Sequence, residues 1–321
     1  MKTQASMTFP QAPRVPTVRV LSCGGGLDSF AMLLWALIAG VRIDVVVFCD
    51  VADPEGLDPG EWPGTYRHLR EVVMPLCAAH GIEFVWMDTT SYPIRDARSL
   101  HAWMLERGQI PVAGPKRLCT TIAKVERFEA WMTDRFPGQV VEVLIGYEAG
   151  EEGRAERDPN SGTGRKHNPG EAVRVNRFPL MELGLCRCRC EAICRAIGFP
   201  VPRKSACVFC PYGSKGDWQT YAAELPAYFA ATAQLEAAKK PTAGKGRKLS
   251  IMAFRSFEKR PAPKRTKLRI LVDRLGHSYS APTVAEFIEG SYKAKPEACG
   301  VCGAEQRATK ATACSYLDEA A

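Results

Sequence analysis

The chain of 321 residues has no run of 18 consecutive apolar residues, so no membrane span is expected. Its first stretch, Met1 to Pro16, lacks the apolar core of a secretory signal. Residues 1–17 therefore read as a flexible tail, and the protein is expected to stay in the cytosol. Acidic residues are in deficit: 35 Asp and Glu against 43 Lys and Arg leave a net charge of +8. That excess suits an acidic partner, nucleotide or nucleic acid, without choosing between them. Cysteine, by contrast, is abundant, with thirteen residues. An odd count and no export signal favour metal ligation over disulfides, because a reducing cytosol keeps thiols free. The length allows a sizeable core in one large or two modest domains.

The stretch that organises the chain is residues 18–30, Val18-Arg19-Val20-Leu21-Ser22-Cys23-Gly24-Gly25-Gly26-Leu27-Asp28-Ser29-Phe30. It opens as a short buried strand, turns on three glycines, and continues into a helix with Phe30, Leu33, Leu34 and Leu37 on one side. Consecutive backbone N–H groups and a helix N-terminus make such a turn an anion site. Glycines let the backbone approach a phosphate and take positive φ. Asp28 and Ser29 stand in the first helical turn, where short polar side chains reach a ligand. The turn lacks the Gly-Lys-Ser/Thr of a Walker A loop, and it is not Gly-x-Gly-x-x-Gly. A tight strand-to-helix turn without a ligand is the simpler alternative.

Further strands are expected at 41–50, ending in Asp50, and at 82–87 and 140–145. Open α/β sheets place ligand contacts at such strand ends. Pro and Gly mark 53–64 as a loop, and a helical stripe follows over 65–80. Alternating strands and helices predict an α/β fold with a doubly wound, mainly parallel sheet over 18–180. Between the third and fourth strands, Arg117 and Lys124 flank Cys119; they read equally well as functional cations or as surface charges. Residues 146–178 form one long loop, whose Glu151 and Arg154 are catalytic or merely solvated.

A helical Cys-rich region is expected over 181–240. Cys207 and Cys210 form a Cys-x-x-Cys pair, which brings two thiolates to one metal from a tight turn. Cys190 and Cys194 share a helix face, unlike Cys186 with Cys188. A four-thiolate site accepts zinc or an iron–sulfur cluster, and the six thiols from 186 to 210 exceed one ion's needs. Some of them are alternatively small core residues. One helix is expected over 217–240, its aromatic stripe reading as core. The last part, 241–321, is a basic extension. From Lys239 to Arg274 there are thirteen Lys or Arg against Glu258 and Asp273. Such a run suits a phosphate backbone or forms a solvated face. Cys299, Cys302 and Cys314 suggest a small knuckle without a clear fourth ligand.

Gly25-Gly26-Leu27-Asp28-Ser29 resembles the Ser-Gly-Gly-x-Asp-Ser signature of the PP-loop ATP pyrophosphatases, with Gly24 where that signature carries Ser. With Asp50, Thr65-Tyr66, Arg117-Leu118-Cys119-Thr120, Lys124, Gly146 and the run Pro200 to Pro211 with Trp218, residues 18–236 look like the phosphoadenosine phosphosulfate (PAPS) reductase-like family of that superfamily. The similarity extends to bacterial and phage members and to the sulfurtransferase-like component of DNA phosphorothioation systems. It implies a PP-loop, Rossmann-type fold and a [4Fe–4S] cluster held by Cys119, Cys190, Cys207 and Cys210. Two departures count against sulfonucleotide reduction. Cys119 has no adjacent cysteine, and Glu297-Ala298-Cys299-Gly300-Val301-Cys302 only approaches the family's terminal Glu-Cys-Gly-x-His.

The expected function is an ATP-dependent enzyme that adenylates an acceptor and then transfers sulfur or electrons, with nucleic acid as the acceptor held by 239–274. Ser22, Gly24, Gly25, Gly26, Leu27, Asp28, Ser29 and Asp50 would bind ATP, with Asp28 reaching Mg²⁺. Arg117, Lys124 and Arg154 would balance charge on the leaving pyrophosphate. A sulfur-donor or electron-donor protein is an implied partner. Two alternatives stand beside this reading: a reductase of adenylyl sulfate compounds using Cys299, and a non-catalytic nucleic-acid-binding protein with structural zinc.

Overall fold

The computed structural model describes residues 18–111, 117–158, 170–213, 215–238, 297–298 and 305–306. The element order is β1 (Val18–Ser22), α1 (Leu27–Ile38), β2 (Val45–Cys49), α2 (Pro63–His68), a π-helical turn Leu69–Val73, α3 (Met74–Ala79), β3 (Glu83–Met87) and α4 (Leu100–Arg107). It continues with α5 (Leu118–Thr120), a second π turn Thr121–Val125, α6 (Glu126–Arg135), β4 (Val140–Ile145), α7 (Glu152–Ala155), β5 (Val173–Arg177), α8 (Pro179–Glu182), α9 (Arg187–Ala196), α10 (Lys215–Glu224) and α11 (Pro226–Ala238). A two-residue pair, β6 (Glu297–Ala298) and β7 (Glu305–Gln306), is antiparallel.

β1 to β5 form one sheet in the order β3-β2-β1-β4-β5, all parallel. β1 to β4 are short and largely apolar, as suits parallel strands covered on two sides, with Glu142 of β4 buried in ion pairs to Arg19 and Arg177. Alternation assigns the faces. Leu21, Val46, Phe48 and Leu144 pack with α1, α3 and α9, while Val20, Val45, Val47, Val141 and Val143 pack with Phe128, Trp131 and Met132 of α6. The chain runs outward from β1 to β3 and then returns to place β4 on the other side of β1. Between β1 and β4 the winding direction reverses. The carboxyl ends of β1 and β4 are thus the switch point of the sheet, where open α/β sheets form a crevice and take ligands.

The residues following the sheet do not build a core of their own. Cys190 and Cys194 of α9 share a core with α1, and Val208, Phe209, Trp218, Tyr221, Phe229 and Leu235 share another with Val51, Ile94 and Trp103. The aromatic stripe of 217–240 is therefore core, as its spacing predicts. It is not one helix: Pro226 has no N–H to continue α10, and it starts α11 instead.

The expected loop over 146–178 is corrected. It contains α7 and a fifth strand, β5, paired with β4 from Val140↔Val173 to Leu144↔Arg177. In β5 the inward residues are polar. Arg174 Nε donates to Asn176 Oδ1 at 2.7 Å, Asn176 Nδ2 donates to Asp158 Oδ1 at 2.9 Å, and the Arg174 guanidinium lies 5.2 Å from the Phe128 ring centre. Hydrogen bonding and stacking thus replace the apolar burial that marks the other strands. The tail 1–17, the basic run 239–274 and Cys299, Cys302 and Cys314 lie outside the described residues. No described helix is long and apolar enough to cross a membrane.

Candidate functional site

The glycine turn joins β1 to α1 in the crevice. Gly25 sits at φ +72°, and a first side-chain carbon there would lie 2.5 Å from Thr65 Cγ2, so only glycine fits. At Gly26 such a carbon would lie 2.8 Å from Ser205 Oγ and 2.9 Å from Ser205 N. The turn is therefore walled by α2 on one side and by the segment before Cys207 on the other. Gly146, which follows β4, comes within the same reach of α1: its added carbon would lie 3.0 Å from Ser29 N. Among the described residues α1 has no side-chain N-cap, so the amides of its first turn are left for another acceptor.

The sequence-identified residues of the turn divide by what they touch. Ser29 turns its hydroxyl inward, donating to Gly26 O at 3.1 Å and accepting from Gly24 N at 3.2 Å. It braces the turn. Leu27 is 1% exposed and belongs to the core, leaving only its backbone on the turn. Ser22 ends β1 between Val47 and Ile145. Asp28 keeps 29% of its side-chain surface, yet burial is the largest influence on it and raises its pKa; Arg187, Lys204 and Arg154 act against that rise and Glu151 adds to it. A group open to water on one side and enclosed on the others stands in the wall of a crevice. Its Oδ1 lies 3.7 Å from Arg187 NH1 and has no hydrogen-bond partner among the described residues.

Asp50 lies at the end of β2, where its four hydrogen bonds all come from the protein. Oδ1 accepts from Val51 N, Ala52 N and the Tyr66 hydroxyl, and Oδ2 accepts from Trp86 Nε1 at 3.0 Å. With 8% exposure, the carboxylate organises the loop after β2. The Tyr66 hydroxyl also accepts from Glu61 N at 2.9 Å, which fixes Glu61 in the crevice wall. Glu61 is 1% exposed; its Oε1 accepts from Lys124 Nζ at 2.9 Å. Burial works to lower the pKa of Lys124, but the Glu61 carboxylate and the neighbouring Cys207 outweigh it and the net shift is upward. Lys124 also acts on Cys23 in the glycine turn and on Cys49. It thus stands between the turn and the thiols, charged and already paired.

Cys207 and Cys210 are held by a tight turn, Cys210 N donating to Cys207 O at 2.9 Å and Gly213 N to Cys210 O at 3.0 Å. Backbone pairing of Glu61 with Cys207, flanked by Trp62 N to Ala206 O at 3.0 Å and Val208 N to Gly60 O at 3.0 Å, docks this turn on the loop after β2. Burial pushes Cys210 up to about 11, the Tyr212 N–H opposing it, and burial with Glu61 raises Cys207 well above its ordinary value. Cys119 adds to both shifts, so the three thiols are near neighbours. Cys190 stands on another element. It is fully buried on α9 in the core with α1, and burial followed by Asp28, Glu148, Cys194 and Cys186 raises its pKa. Among the described residues no three His, Cys, Asp or Glu side chains are arranged to hold one metal ion. That bears on a single ion, whose thiolates meet at about 2.3 Å from one centre; a cluster gives each thiolate its own iron.

The remaining cations are engaged by aromatic rings. The Arg117 guanidinium lies 4.3 Å from the Tyr212 ring centre beside the thiol turn, and Arg154 lies 4.1 Å from that of Tyr147 while pairing with Glu151. Sequence reasoning gave no role to Glu61, Arg187, Lys204 or Ser205. Glu61 sits in a Pro- and Gly-rich stretch that reads only as loop, and Arg187 is one charge among several on a helix noted for its cysteines. Compared with protein-family models and with curated protein sequences, the chain matches none.

Proposed function

We propose that this chain binds a nucleoside triphosphate in the glycine turn and cleaves it at the α-phosphorus, adenylating an acceptor and releasing pyrophosphate. The observation that carries the reading is the position of the turn. Gly24–Gly26 and the uncapped start of α1 follow the carboxyl end of β1, where the winding of the sheet reverses, and Asp28 stands there under the influence of Arg187, Lys204 and Arg154. The resemblance of Gly25-Gly26-Leu27-Asp28-Ser29 to the PP-loop signature points the same way.

In this proposal the amides of Gly26, Leu27 and Asp28 bind phosphate oxygens, and Ser29 keeps the turn closed from within. Asp28 reaches the magnesium ion of the nucleotide through water, since that ion keeps much of its hydration. An acceptor oxygen attacks the α-phosphorus, the bond to the bridging oxygen breaks, and its electron pair leaves with pyrophosphate. Arg187, Lys204 and Arg154 offset the charge that grows on that leaving group. Lys124, paired with Glu61, stands between the turn and the thiols. The adenylated acceptor is then open to attack by sulfur or to reduction, and nucleic acid held by 239–274 is the acceptor we favour.

Of the four cysteines implied by the resemblance, Cys207 and Cys210 share a tight turn that Cys119 acts on, and Cys190 is buried against α1 under the influence of Asp28. No step is routed through a cluster. The test is pyrophosphate release from ATP and Mg²⁺ in the presence of DNA, with Asp28→Asn as control. Release that depends on Asp28 supports the proposal. Release at an equal rate from the variant would sink it, and so would failure of the wild-type chain to bind ATP.

A further inference from the structure

Ser205 closes the glycine turn from outside. A first side-chain carbon on Gly26 would lie 2.8 Å from its Oγ and 2.9 Å from its N, and one on Gly24 would lie 3.4 Å from the same Oγ. One hydroxyl thus faces two of the three glycines. Among the described residues it has no hydrogen-bond partner. The segment is held in place on both sides. Arg203 pairs with Asp217 and stacks 4.7 Å from the Trp62 ring centre, and Ala206 O accepts from Trp62 N. Lys204, the preceding residue, acts on Asp28. The turn itself carries no hydroxyl at its mouth, because position 24 is glycine and the Ser29 hydroxyl is spent inside.

We infer that Ser205 is a phosphate-binding residue, its hydroxyl donating to an oxygen of the nucleotide held by the glycine turn, in the space that a side chain at position 24 would otherwise fill. The inference rests on the reading of that turn as a triphosphate site. It also makes the thiol-bearing segment a wall of the nucleotide site, since Ser205 lies two residues before Cys207.

The test is calorimetric titration of the full chain with ATP and Mg²⁺, which reads binding without turnover. Ser205→Ala is expected to weaken binding about ten-fold, the loss of one hydrogen bond to a charged group. Ser205→Cys keeps the shape but donates weakly, and is expected to lose as much. Gly24→Ser in the Ser205→Ala chain is expected to restore most of the affinity, because 3.4 Å leaves room for a side chain there. Unchanged affinity in Ser205→Ala would overturn the role of Ser205 and leave the nucleotide site standing. Full affinity in Ser205→Cys, or no recovery in the double variant, would assign the effect to packing and also overturn it. If the wild-type chain bound no ATP, both the inference and the reading beneath it would fall.

Discussion

The Lys124 ammonium lies 2.9 Å from Glu61 Oε1, while the second oxygen of that carboxylate is buried with no hydrogen-bond partner among the described residues. The pair joins the loop after β2 to the crossover between β3 and β4. Removing one partner strands the other in a partly dry wall. Glu61→Ala is expected to cost about 2–3 kcal/mol, and Glu61→Gln less, because the amide still accepts from Lys124. The double variant Glu61→Leu with Lys124→Met should recover part of the loss. Urea unfolding of the four chains checks this.

Asp28 pays for its position. Burial, helped by Glu151, raises its pKa against the pull of Arg187, Lys204 and Arg154. A carboxyl whose folded pKa is raised is held more happily as the acid, so its ionised form strains the fold at neutral pH and the strain vanishes at acid pH. Asp28→Asn is expected to stabilise the chain by about 0.5–2 kcal/mol at neutral pH. The gain should close as pH falls below the ordinary carboxylate range. Pyrophosphate release should fall about 100-fold or more in the same variant. Thermal unfolding against pH and a pyrophosphate assay read the two effects separately.

His68 sits edge-on to Phe30, ring centres 4.6 Å apart, with Nε2 buried and without a hydrogen-bond partner among the described residues. Burial pushes its pKa down from 6.5 to about 4. The neutral ring is favoured by the fold, so its contribution is complete above the unfolded value and is lost as pH falls from 6.5 through about 4. Over that window the wild type should lose about 1–2 kcal/mol more than His68→Leu, allowing for the part of the ring that water reaches. Unfolding curves at stepped pH provide the comparison.

Arg127 is 3% exposed and donates to the carbonyls of Asp50, Met87, Asp88, Tyr92 and Ala123. It gathers the ends of β2 and β3 and the helix after Lys124. A lysine presents one nitrogen where the guanidinium presents a planar fork. Arg127→Lys and Arg127→Met are both expected to cost about 3 kcal/mol or more, since several buried carbonyls lose their donor. Chemical denaturation measures it.

Gly25→Ala combines left-handed backbone at φ +72° with a 2.5 Å approach to Thr65 Cγ2. It is expected to destabilise by about 2 kcal/mol. Thr65→Ser in the same chain removes the methyl but not the backbone strain, so only part of the loss should return. The melting temperatures of the two chains decide it.

Four strands were legible because each is a run of Val, Leu, Ile or Phe of strand length, and the glycine turn because nothing else places three glycines before Asp-Ser. β5 was hidden by its chemistry: the residues it turns inward are Arg174 and Asn176, which alternate as if solvated. The break at Pro226 was visible in composition and lost beneath an aromatic stripe that runs through it. The candidate site was legible only where its parts are contiguous. That Ser205 faces Gly26, or that Glu61 meets both Lys124 and Cys207, depends on backbone pairing between distant segments, which no local spacing encodes. Cys190 shows a local reading that holds. Its spacing from Cys194 is that of a helix face, and the face is turned to α1.

The docking of Ala206–Val208 on Gly60–Trp62 ties the second strand's exit to residues synthesised much later. A growing chain that has finished β4 already owns the glycine turn but not its outer wall. Until Ser205 arrives, Gly26 lacks the contact that walls it on that side, and the loop after β2 lacks the backbone pairing that docks it. Contacts of such long reach also form late and slow the final folding step. The outer wall of the turn is thus completed only in a chain that has been made through Val208.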